Sequence, residues 1–171
     1  MSKLSGTFNG HHFHGAPERF EVVADFIANK FGKNIKYIAD VAGGRGMLSR
    51  LLNKRYNYES EVIDPRGWAL VGVPNRKEEF TTEMASYYDL VIGLHPDDAT
   101  RPVVESALIT NTLVVPCCNF WDKTQKLGRN ELQDSIEQYY KDNNIKYEKA
   151  ELEFKSPRNI GFLTLSHILR V

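Results

Sequence analysis

Cysteine is almost absent: the 171 residues hold two, Cys117 and Cys118, and these are adjacent. A bond between chain neighbours would need a strained ring, so no disulfide framework holds this chain together. Two thiolates are also too few for a structural zinc site unless histidines join them, and no metal is expected. Long apolar runs are missing, since nothing approaches the ~20 residues that span a bilayer. The start, Met1-Ser2-Lys3-Leu4-Ser5, lacks the apolar core of a signal peptide. The expected setting is therefore the reducing cytoplasm, with no membrane partner. Net charge is lacking too: Lys plus Arg and Asp plus Glu number 22 each. That excludes a global basic field for nucleic acid, although it leaves room for a local basic patch. Repeats and low-complexity segments are absent.

The length suits one core, so a single domain over residues 1–171 is expected. Apolar residues punctuate it clearly. Phe20, Val23, Ile27 and Phe31 recur at helical spacing, which predicts a helix over 18–31 with Pro17 at its entry and Gly32 as its stop. Residues 37–42 read as a short buried strand running into a glycine turn, followed by a helix over 46–56. Further strands are expected at 61–63, near Glu79-Phe80, at 89–94 and at 112–116. Helices are expected at 102–109 and 129–142, and two longer strands at 147–154 and 160–170 end the chain.

This alternation predicts an α/β fold: a Rossmann-like, doubly wound and mostly parallel sheet with an antiparallel C-terminal strand. In such sheets ligands bind beyond the carboxyl ends of the parallel strands. The unusual residues fall at those ends, namely the glycine turn, Asp64, His95 and Cys117-Cys118-Asn119.

The turn Asp40-Val41-Ala42-Gly43-Gly44-Arg45-Gly46 lets the backbone bend tightly and approach a ligand. The helix after it offers unpaired N–H groups and a positive dipole end. Its fit to the dinucleotide fingerprint is incomplete, because Ser49 stands where a third glycine belongs. Asp40 could meet an ammonium from the strand before the turn, or cap local backbone. Asp64 ends the next strand, where an acid can accept from both ribose hydroxyls, or else start the turn at Pro65. Together these residues point to a ligand of nucleoside type.

Asp40-x-Ala42-x-Gly44-x-Gly46 resembles the acidic-x-Gly-x-Gly-x-Gly motif of class I S-adenosylmethionine-dependent methyltransferases, with Ala42 in place of the first glycine. The acid before the turn is more typical of that family than of NAD enzymes. The resemblance covers residues 37–171 and implies S-adenosylmethionine as cofactor. It implies a cofactor site of Arg19, Asp40, Ala42, Gly43, Gly44, Gly46, Asp64, Arg66, Phe80 and Gly93, with Arg19 pairing the cofactor carboxylate. Gly93-Leu94-His95 and Pro116-Cys117-Cys118 resemble a narrower branch, the domain shared with acceptor-stem tRNA ribose 2′-O-methyltransferases. That branch makes RNA a candidate acceptor and a protein partner for substrate recognition a further expectation. The chain departs from it in carrying Asp97-Asp98 soon after the histidine and in lacking the accessory zinc modules.

Three residues are candidates for the chemistry. His95 could act as base for an oxygen nucleophile, or be a turn histidine bonded to backbone. Cys117 could be a nucleophile, although a buried small hydrophobe is the commoner role of such a cysteine. Asn119 could orient substrate or shape the turn. Trp121, beside Phe120, could wall a substrate pocket or anchor the core. No Asn/Asp-Pro-Pro-aromatic signature follows Leu94, which counts against methylation of exocyclic base nitrogens. The segment 1–16, with His11-His12-Phe13-His14, is expected to be mobile or to cover the cofactor pocket. The leading reading is thus a methyltransferase of unknown acceptor. The alternative is a non-catalytic module that binds the cofactor or a nucleoside and acts with a partner.

Overall fold

A computed structural model of the chain describes residues 5–8, 11–118 and 121–166. A two-stranded antiparallel pair, β1 (Ser5–Phe8) and β2 (His11–His14), precedes the main body. The chain continues through α1 (Arg19–Phe31), β3 (Tyr37–Val41), α2 (Met47–Tyr56), β4 (Glu59–Ile63) and β5 (Asn75–Arg76). Then come β6 (Leu90–Leu94), α3 (Thr100–Glu105), β7 (Asn111–Val115), α4 (Arg129–Asp142), β8 (Tyr147–Glu151) and β9 (Ile160–Thr164).

One seven-stranded sheet in the order β5-β4-β3-β6-β7-β9-β8 organises the molecule. Six strands run in one direction, and β9 enters antiparallel between β7 and β8. The chain steps outward from β3 through β4 to β5 and then returns to place β6 beside β3. That reversal between β3 and β6 is a topological switch point, where the connections leave the strands in opposite directions and open a crevice.

Successive strand residues face opposite sides, so each strand feeds two cores. Ile38, Leu90, Ile92 and Leu113 face the layer of α1 and α2, where Val23, Ile27, Phe31, Leu48 and Leu52 cover them. Ala39, Val91 and Val114 face α3 and α4, where Val103, Val104, Leu132, Ile136 and Tyr140 close the other side. The expected doubly wound α/β sheet with antiparallel terminal strands is therefore the observed architecture. No helix among the described residues is long and apolar enough to cross a membrane.

Four elements differ most from expectation. The strand expected near Glu79-Phe80 lies at Asn75–Arg76 and is only two residues long. It pairs at the sheet edge, where the Val62 and Asp64 amides donate to the Pro74 and Arg76 carbonyls. Residues 82–87 form a 3₁₀ turn instead. The helix expected over 102–109 starts at Thr100, so that Pro102 falls in a first turn that tolerates it, and it tightens to 3₁₀ over Ser106–Leu108. β8 stops at Glu151, because the Phe154 and Ser156 amides turn back onto the Leu152 and Phe154 carbonyls and leave the ladder. β9 stops at Thr164, and residues 167–171 lie outside the described ones.

Candidate functional site

The glycine turn joins β3 to α2 and rests on a buried acid. Asp40 is 2% exposed, and its Oδ2 accepts from the Ser49 amide at 3.3 Å and the Ser49 hydroxyl at 3.0 Å. Ser49 Oγ in turn lies 2.9 Å from Ser60 Oγ, so a hydroxyl pair ties the turn to β4. Burial raises the Asp40 carboxyl to about 6 against these hydrogen bonds, and the charge of Asp64 adds to the rise. A Cβ at Gly43 would stand 2.6 Å from the Asp40 carboxylate, so only glycine fits above the acid. Ala42 takes a left-handed φ of 54°, the conformation for which glycine is normally used. Asp40 therefore supports the turn from beneath, the local-backbone role weighed against its ammonium-binding one. Ser49, which reads from sequence as a missing glycine, is the partner that makes this burial tolerable.

Gly46 begins α2 at φ 76°, and a Cβ there would meet Val73 at 2.7 Å. Gly46 brings no capping side chain and no acid lies in the first turn of the helix, although the Ser49 amide of that turn is taken by Asp40. Its leading N–H groups and positive dipole end are held at the carboxyl edge of the sheet.

Asp64 ends β4 beside the turn. Its Oδ2 accepts from the Gly44 amide at 3.0 Å and from Arg66 Nη2 at 2.6 Å, while Oδ1 accepts from the Arg66 amide and Nε at 2.9 Å each. Burial alone would push its pKa up, but the Arg66 side chain, the two amides and the Arg66 charge together hold it below the usual carboxylate value. Arg66 is itself stacked over the exposed Trp68 ring at 4.7 Å, so its head group sits at the surface of the site.

β6 delivers His95 and Asp97. Both take left-handed backbone, at φ 56° and 47°, strained conformations for residues with side chains. The His95 amide donates to the Val115 carbonyl at 2.9 Å, and its Nε2 lies 3.0 Å from the Arg158 carbonyl. A carbonyl only accepts, so Nε2 carries the proton and Nδ1 the lone pair. Burial lowers the His95 pKa, which keeps the ring neutral.

Cys117 at the end of β7 donates its thiol to Asp97 Oδ1 at 3.2 Å. Burial, and then the Asp97 bond and charge, push its pKa up. That is the opposite of what a nucleophilic cysteine needs, and it favours the neutral small-side-chain alternative for this position. Asn119 and Phe120 lie outside the described residues.

Three other expected cofactor residues are placed as follows. Arg19 starts α1 and donates from Nη1 to the Ala16 carbonyl at 3.0 Å, and burial lowers its pKa. Its charge acts on both His95 and Cys117, which sets α1's entry beside the ends of β6 and β7. Phe80 lies in no strand and is buried with Val41, Ile63 and Val91, which makes it part of the core. Gly93 is needed for packing, since a Cβ there would meet Pro96 at 2.9 Å and Val103 at 3.1 Å. Trp121 stacks edge-on against Tyr139 and under the Arg101 guanidinium, as a core anchor would. Among the described residues no group of three or more His, Cys, Asp or Glu could hold a metal.

Sequence reasoning missed Asp97 and Arg158 as parts of this site. They meet His95 and Cys117 through left-handed loop geometry and the β8–β9 connection, neither of which leaves a periodic signal.

The fold is that of class I methyltransferases, as comparison with solved structures shows. The chain resembles the sugar N-methyltransferase KedS8 from Streptoalloteichus sp. at a TM-score of 0.57 and 12% identity, covering 96% of this chain and 98% of that one. It also resembles DesVI of Streptomyces venezuelae, at a TM-score of 0.57 and 10% identity, over 86% and 90% of the two chains. A third similar structure is the plantazolicin methyltransferase BpumL in complex with S-adenosylhomocysteine, at a TM-score of 0.57 and 11% identity, over 88% and 86%. No protein-family model and no curated protein matches the chain.

Proposed function

We propose that the chain is an S-adenosylmethionine-dependent methyltransferase. The observation that carries this is the buried Asp64 carboxylate at the end of β4, bonded to the Gly44 amide beside the N-terminus of α2. An acid that accepts from two vicinal hydroxyls, next to N–H groups that can meet a polar tail, fits the adenosyl and methionine parts of that cofactor. When bound, the cofactor supplies a sulfonium methyl as electrophile.

The residues around it divide the work. Asp64 would hold the ribose hydroxyls in competition with the Arg66 guanidinium that bonds it here. Ala42, Gly43, Gly44 and Gly46 give the close backbone approach, with Asp40 and Ser49 holding the turn in shape. Arg19 stands at the entry of α1 for the cofactor carboxylate. His95 is the base: its Nδ1 is unprotonated, its ring is fixed by the Arg158 carbonyl, and it can take a proton from an acceptor hydroxyl or amine. Catalysis of this kind rests on alignment of acceptor and methyl more than on covalent chemistry.

The resemblance of residues 93–95 and 116–118 to a tRNA-modifying branch supports an RNA acceptor, while the equal count of acids and bases does not. Calorimetry with S-adenosylhomocysteine tests the cofactor. Saturable binding to the parent and its loss in Asp64→Ala are expected, and a folded parent that binds nothing rejects the reading. Methyl release from labelled cofactor in the presence of cell extract separates the enzyme from a binding module that acts only with a partner.

A further inference from the structure

Beyond Cys117, on the side of β7 away from the glycine turn, two guanidinium groups converge. Arg129 opens the 14-residue α4, and Arg158 lies in the connection between β8 and β9. Because β8 runs parallel to β7, that connection falls on the same carboxyl edge as Asp64, His95 and Cys117. Arg129 Nη1 donates to the Pro157 carbonyl at 2.6 Å, which anchors one element to the other. Arg158 Nη1 points at Cys118 Sγ, 3.4 Å away.

Two adjoining cavities, of about 580 and 290 Å³, share Gly128, Arg129 and Arg158 in their walls. The smaller is completed by Cys117, Cys118 and the apolar Leu127 and Leu132. One acid, Glu131, lines the larger, and its Oε2 is already taken by the Gly128 amide at 2.7 Å. Among the described residues neither Arg129 nor Arg158 meets a carboxylate, whereas Arg55, Arg66, Arg76 and Arg101 each do.

We propose that this double cavity is the acceptor site and that it takes a compact acceptor through an anionic group, a phosphate or a carboxylate. The inference rests on the methyltransferase reading. Two planar forks from separate elements, with no carboxylate to neutralise them, match an oxyanion. Leu127, Leu132 and the neutral Cys117 thiol suit the less polar body of a molecule of this size. An acceptor held there extends toward β6, where His95 and Asp97 stand between it and the glycine turn. A compact acceptor is favoured over a long nucleic acid because the chain has no excess of cations to follow a phosphodiester backbone.

The test is an amide-resolved NMR titration of the full chain saturated with S-adenosylhomocysteine. Inorganic phosphate and acetate are added in turn, with chloride at matched ionic strength as reference. Saturable shifts at Cys117, Cys118 and Gly128 are expected for at least one anion, and the responding anion distinguishes phosphate from carboxylate. Arg129→Gln and Arg158→Gln should each weaken that binding about tenfold or more, with Arg129→Lys and Arg158→Lys intermediate. Affinity for S-adenosylhomocysteine should stay within about twofold in all four. No saturable shift with either anion, or equal affinity in parent and variants, overturns the proposal. Total tRNA that perturbs the same amides and loses affinity in the same variants assigns the site to RNA and overturns the compact acceptor. A parent that fails to bind S-adenosylhomocysteine sinks the cofactor reading instead, and the anion titration of the free protein still decides the cavity.

Discussion

The carboxyl edge of the sheet has two halves, and they are built differently. At β3 and β4, Asp40 and Asp64 are buried, their carboxylates accept from Gly44, Ser49 and Arg66 within the same strand–helix–strand unit, and a Cβ at Gly43 or Gly46 would clash. At β6, β7 and the β8–β9 connection, the backbone is left-handed at His95 and Asp97, and open cavities lie between loops held by arginines and thiols. A half made of short-range, saturated contacts suits one unchanging ligand. A half assembled from loops can be reshaped residue by residue without disturbing the first, which is how one fold serves different acceptors.

Breaking the rigid half should cost most. Asp64→Ala removes two charge-assisted hydrogen bonds of about 2 kcal/mol each, so S-adenosylhomocysteine affinity should fall about 1000-fold in calorimetry. A change below threefold would remove the acid from the cofactor site. Gly43→Ala drives a methyl onto the Asp40 carboxylate and should lower unfolding free energy by about 3 kcal/mol in urea titration.

Asp40 gives the pH test. Its folded pKa is raised from 3.8 to about 6, so the folded protein holds this proton more tightly than the unfolded chain. Its contribution favours the fold below the unfolded value and is lost as the pH rises through about 6. Asp40→Asn should therefore gain stability relative to the parent between pH 4 and pH 7, by up to about 3 kcal/mol. A constant difference over that range would show that the acid is ionised throughout.

The loop-built half predicts smaller effects. The raised Cys117 pKa should slow its alkylation by iodoacetamide at pH 8 about tenfold or more relative to a free thiol, as read by mass spectrometry. Rapid alkylation there would restore Cys117 as a nucleophile. The smallest effect belongs to Ala42→Gly, which relieves the left-handed φ and should raise stability by about 1 kcal/mol in thermal unfolding. A loss would mean that the methyl packs usefully against the turn.

The sequence was legible where the signals are local. Alternation of Ile38 and Ala39, or of Leu90, Val91 and Ile92, announces strands covered on both faces, and helical spacing announces α1. The glycine turn and Asp64 lie 24 residues apart, close enough for one strand–helix–strand unit to place both. Edge pairing of two residues at β5 carries no such pattern, and neither does the bend that ends β8 after Glu151.

Residue order and side-chain chemistry alone thus settled the doubly wound sheet, its antiparallel terminal strands and the acid-flanked turn, because each follows from periodicity or from spacing within one unit. Tertiary structure decided the rest. It buried Asp40 on Ser49, moved Phe80 into the core, made Cys117 a donor to Asp97, and brought Arg129 and Arg158 to one cavity across 29 residues of chain. Apart from the Asp40–Ser49 bonds, those outcomes depend on contacts between segments far apart in the chain, and pKa, burial and charge pairing are properties of packing, which no local pattern encodes.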